Sequence, residues 1–165
     1  MACVGSQEIS GATFTHWAVV AERSQPHAHR RPVAEPTHEE MTLTLGFLIS
    51  ADWVTGEAAD LGIELSAGEV RHEFDRLRRQ QFPKLAEFKK FLRQTGQTTA
   101  DLLLRVRLSM LTTRMQQRVE GHGSARARQN ALMRFVKNYQ RKWKAQTYCE
   151  SLYRTPDCGH TASSL

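Results

Sequence analysis

The sequence predicts an all-α fold of about six helices, opened by one short strand and closed by a long helix that packs back on the N-terminal half. Three features point to it. A hydroxyl residue is followed three positions later by an acidic one at Thr37/Glu40, Ser66/Glu69 and Thr98/Asp101. In that pattern a side-chain oxygen and a carboxylate reciprocally satisfy the free amides of a helix start. Behind each cap, apolar residues recur at helical spacing. Pro83, Gly96 and the Gly121-His122-Gly123 turn fall between these runs, where chain breaks belong.

In chain order, residues 4–9 are expected to form the strand, with Val4 and Ile9 as its apolar ends. A helix follows from about Gly11 to Arg23, burying Phe14, Trp17, Ala18 and Ala21. Ser24 to Pro36 holds three prolines and reads as an irregular linker. The next helix carries Met41, Leu45, Leu48, Ile49 and Trp53 inward. Leu65 and Val70 flank the Ser66 cap as a hydrophobic staple, and the helix behind it presents Val70, Phe74 and Leu77 before ending near Gln81. Pro83 disfavours helical geometry at Phe82 and is expected in the first turn of a further helix. That helix sets Leu85, Phe88, Phe91 and Leu92 on one side, with Gly96 as its left-handed cap. From Thr98 the stripe is Leu104, Leu108, Leu111 and Met115. Ser124 caps the last helix, about Ala125 to Ala145, whose stripe is Leu132, Phe135, Val136, Tyr139 and Trp143. The organisation is therefore a strand and first helix over 1–23, a Pro/His-rich linker over 24–36, a helical domain over 37–146 and a tail over 147–165.

Charge is uneven. Residues 1–65 carry three basic and nine acidic side chains, and residues 66–165 carry twenty and eight, so a net −6 precedes a net +12. Lys and Arg in such numbers suit phosphate neutralisation, but no helix-turn-helix, zinc-finger or RNA-recognition pattern accompanies them. Arg71, Arg78, Arg79, Lys89, Lys90 and Arg93 instead lie opposite the apolar stripes, as a solvated helix face does. No segment reaches the roughly 18 uninterrupted apolar residues of a membrane span. Met1 to Gly5 lacks the basic start and apolar core of a signal peptide, which by itself points to the cytoplasm.

Catalytic chemistry finds no support in the residues. There is no nucleophile elbow and no phosphate-binding loop. Glu39 and Glu40 are adjacent on a helix, do not face each other, and already serve a cap. His27 and His29, with His38 nearby, form a His-x-His pair without a third ligand of fixed geometry, so solvated loop histidines are expected and no metal. No cofactor is implied. Cys149 and Cys158 enclose eight residues including Pro156, a spacing equally that of a disulfide or of two free thiols.

A more specific pattern runs from Trp53 to Val119. It comprises Trp53-x-x-x-Glu57-Ala58, Gly62-Ile63 before the capped Glu69-Val70 helix, Phe82-Pro83, Phe88-x-x-Phe91-Leu92, and Gly96-Gln97-Thr98 before Asp101-Leu102. This resembles the N-terminal substrate-binding domain of the SurA and PrsA family of extracytoplasmic chaperones and foldases, related to the peptide-binding arms of trigger factor, over roughly residues 38–119. Val4 to Ser10 with Phe14 and Trp17 resembles the opening of such proteins, and Lys142-Trp143-Lys144 to Cys158 resembles the tails of actinobacterial members. In that family a prolyl-isomerase (parvulin) domain is inserted before the closing helix, and here only the Gly121-His122-Gly123 turn occupies the slot.

The resemblance implies a module that binds unfolded or translocated polypeptide outside the cytoplasm, without ATP and without its own isomerase. It implies a Cys149–Cys158 disulfide, and the location is expected to be extracytoplasmic if the true start lies upstream of Met1 and cytoplasmic if Met1 is the start. Only two residues precede Cys3, so no apolar region marks it for lipid attachment, and it is expected at an ordinary strand position. The residues suited to an apolar peptide-contact surface are Phe82, Phe88 and Phe91, on a short helix beside a proline break, with Trp53, Met110 and Met115. A basic nucleic-acid-associated protein and a structural cell-envelope partner are the alternatives.

Overall fold

The computed structural model describes residues 2–24, 37–151 and 153–162. The linker expected over 24–36, including His27 and His29, lies almost wholly outside the described residues. The element order is β1 (Ala2–Val4), β2 (Gln7–Ile9), α1 (Gly11–Arg23), α2 (His38–Asp60), α3 (Ala67–Gln81), α4 (Leu85–Thr95), α5 (Thr99–Glu120), α6 (Ala125–Ala145), β3 (Thr147–Glu150) and β4 (His160–Ala162).

The chain is mostly helical, with six helices among the described residues. A purely all-α description is nevertheless corrected at the termini. The expected single strand over 4–9 is a hairpin turning at Gly5 and Ser6, with Gly5 at a φ of +56°. The expected tail supplies two more strands. Together they form a four-stranded sheet in the order β2-β1-β3-β4, antiparallel except for the β3–β4 pair. Ala2 pairs with Ile9 and with Cys149, and Val4 pairs with Gln7 and with Thr147. Alternation then sends Ala2, Val4, Ile9, Thr147 and Cys149 into the core and leaves Cys3 and Tyr148 exposed. A disulfide joins Cys149 to Cys158 across the β3–β4 connection. Gly159 is required there, because a Cβ would overlap the Lys144 carbonyl.

The capping boxes at Thr37, Ser66 and Thr98 are all formed. Ser10 and Ser124 cap α1 and α6, and Gly96 ends α4 in the left-handed region at a φ of 69°. Helix α4 starts one turn position later than expected: Lys84 is its N-cap and Pro83 lies in the break before it. In α1, Val20 is buried where Ala21 was expected, and Ala21 is exposed.

Two apolar clusters result. One joins the sheet, α1, α2 and the end of α6 through Val4, Phe14, Trp17, Val20, Leu45, Ile49, Trp53 and Trp143. The other joins α2, α3 and α5 through Ala58, Leu65, Val70, Leu111 and Met115. Helix α6 packs back on α2 only at its C-terminal end. Trp143 Nε1 and Lys142 Nζ both donate to Glu57 Oε2, at 2.7 and 2.6 Å, and Lys142 also reaches Asp60 at 2.6 Å. Burial works to lower the Lys142 pKa, but the hydrogen bonds to Asp60 and Glu57 outweigh it and raise the value. Toward its start the expected stripe opens: Val136 is exposed and Leu132 and Phe135 are half-buried, and Met133, outside the stripe, is exposed as well.

Candidate functional site

Helix α5 carries apolar residues on several sides, which lets it serve both clusters and still face solvent. Arg107 donates to the Leu65 carbonyl, and Arg114 to the Glu64 carbonyl and the Glu69 carboxylate, so two of its cations hold the α2–α3 connection. At its start, Asp101 accepts from the Thr98 amide at 2.7 Å and meets His16 Nε2 at 2.9 Å, tying α5 to α1. Burial works to raise the Asp101 carboxyl; the Thr98 amide and hydroxyl and His16 overcome it, and the pKa is lowered. Between these anchors lie Leu102, Arg105 and Val106.

These three residues and the break between α3 and α4 enclose a cleft of about 160 Å³, lined also by Phe74, Leu77, Arg78, Gln81, Phe82, Phe88 and Phe91. Phe82 can turn over α4 because Pro83 stops α3: Phe82 is the C-cap, at φ −130° and ψ 83°. Its ring lies 5.0 Å from Phe91 and 5.7 Å from Phe88, and Phe88 meets Phe74 at 6.1 Å. Phe88 is the buried floor; Phe82 and Phe91 are half-buried walls. Leu85, expected on the same side, is 56% exposed.

The structure thus brings Phe82, Phe88 and Phe91 together at one open cleft. It does not bring Trp53, Met110 and Met115 there. Trp53 is buried in the first cluster, its Nε1 donating to Thr147 Oγ1 at 2.8 Å, and Thr147 in turn donates to the Trp143 carbonyl. Met115 is buried and Met110 half-buried in the second cluster. For these three, helical periodicity marked a packing face.

A second cleft, about 340 Å³, opens between α1, α2 and α5, lined by Trp17, Ala21, Glu40, Leu43, Thr44, Phe47 and Arg105. Trp17 and Phe47 are 4.7 Å apart, and the Arg105 guanidinium lies 4.9 Å from each ring centroid. Such cation–π geometry fixes a flexible side chain in place. Arg105 lines both clefts, and its N–H groups have no acceptor among the described residues. Helical spacing alone does not single it out. The available signal is the run Leu102-Leu103-Leu104-Arg105-Val106, in which one charge interrupts an apolar stretch.

Among the described residues there is no group of three or more His, Cys, Asp or Glu that could hold a metal ion. No helix of the described residues is long and apolar enough to cross a membrane. Comparison with protein-family signatures, with curated proteins and with solved structures finds no match.

Proposed function

We propose that this chain binds unfolded or translocated polypeptide without ATP, as a SurA- or PrsA-type substrate-binding module without a parvulin domain. The observation that supports this most is the open phenylalanine cleft at the α3–α4 break. Half-buried aromatic rings walling a concave apolar surface suit the side chains of an unfolded segment. Arg78 lines the cleft, and Arg71, Arg79, Lys89, Lys90 and Arg93, exposed elsewhere on α3 and α4, add positive charge that raises encounter rates with acidic chains. The Cys149–Cys158 disulfide favours an oxidising, extracytoplasmic setting.

The test is suppression of aggregation of a chemically denatured client, followed by light scattering. Wild-type protein should suppress it. The double variant Phe82→Ser, Phe91→Ser should bind client about tenfold more weakly or worse, each ring contributing on the order of 1 kcal/mol. Failure to suppress aggregation, together with duplex-DNA binding that falls steeply as salt rises, would instead favour a nucleic-acid role for the basic half.

A further inference from the structure

Resting on the polypeptide-binding function above, we propose that Arg105 makes the surface selective for client segments in which a carboxylate side chain is flanked on both sides by apolar ones. Arg105 is the residue shared by the walls of the two clefts. One cleft is walled by Phe82 and Phe91, the other by Trp17 and Phe47. A polypeptide crossing from one to the other passes its backbone over the guanidinium. Extended chain advances about 3.4 Å per residue, so apolar side chains within a few positions of a central acidic residue, on either side, are those available to the two clefts.

Two further observations support a carboxylate as the central group. The guanidinium is held at 4.9 Å from two rings and still has its N–H donors unsatisfied by any described residue. A planar fork of donors so held is preorganised for a carboxylate. Arg78 lines the phenylalanine cleft and adds positive potential, whereas the acidic group lining the other cleft, Glu40, accepts from the Thr37 amide and hydroxyl at 2.8 and 2.9 Å.

The test uses the full chain and two fluorescein-labelled unstructured peptides, identical except for a central Asp or Asn between flanking Phe and Leu residues, with affinities read by fluorescence anisotropy. Wild-type protein should bind the Asp peptide roughly five- to tenfold more tightly, as expected of a charge-assisted contact to a partly exposed cation. Arg105→Gln should bring the two peptides to equal affinity, the Asp peptide losing its five- to tenfold advantage. Arg105→Glu should prefer a third peptide with central Lys. Equal affinities for Asp and Asn peptides on wild-type protein would overturn the selectivity and leave general polypeptide binding standing. Absence of binding to any of the peptides would overturn both.

Discussion

At the scale of single residues, Glu69 shows how one side chain serves a helix and its neighbour together. Its carboxylate receives the Ser66 amide and hydroxyl within the capping box and also receives Arg114 from α5. The Arg114 hydrogen bond, followed by the Ser66 amide and hydroxyl, lowers its pKa from 4.5 to about 2. Because the folded value lies below the unfolded one, its contribution to stability is complete above pH 4.5 and disappears as pH falls toward 2. Glu69→Gln should therefore flatten the acid limb of a stability-versus-pH curve in that window, as read by urea denaturation; an unchanged limb would show that the pairing is not felt in solution. Thr44 makes the converse case. Thr44→Val removes a buried hydroxyl that has no partner among the described residues, so thermal stability should be unchanged or rise by up to about 1 kcal/mol. A loss of stability on calorimetry would show that the hydroxyl is satisfied.

At the scale of elements, the caps were legible and the contacts between elements were less so. Thr37, Ser66, Thr98 and Ser124 act within a few residues of themselves, so their local pattern determines the outcome. The terminal sheet has strands of three or four residues, too short for alternation to be diagnostic, and pairs Ala2 with Cys149 across nearly the whole chain. Nothing near Ala2 in sequence announces that partner. Position 56 is similar: within α2 a glycine lowers helix propensity, and only the structure shows its reason, since a Cβ there would overlap the Trp143 ring. Gly56→Ala should destabilise the fold by about 1 to 3 kcal/mol through overpacking, despite its better helix propensity. An equal or higher melting temperature would mean that α6 docks elsewhere on α2. The disulfide closes a short loop between β3 and β4. Replacing both Cys149 and Cys158 by Ser should cost about 2 to 3 kcal/mol on the loop-entropy model, measured by denaturant midpoint, and no loss would mean the strands hold without it.

At the scale of the whole molecule, the helical clusters and the terminal sheet form a frame against which α4 and the open start of α6 project apolar side chains to solvent. The phenylalanine part of the candidate surface could be read from the sequence because Phe82-Pro83 breaks the chain beside Phe88 and Phe91. Trp53, Met110 and Met115 could not be sorted from core by spacing, since a helix stripe looks the same whether another helix or a client covers it. Arg105 escaped notice because its significance comes from Trp17 and Phe47, on two other helices. The most direct measurement is hydrogen exchange of the full chain, with and without a saturating permanently unfolded client. Slowed exchange should concentrate in residues 78–106, around the α3–α4 break and the start of α5, with a second zone near residues 40–47. Protection confined to the exposed basic faces, or no change on adding client, would contradict binding at these clefts.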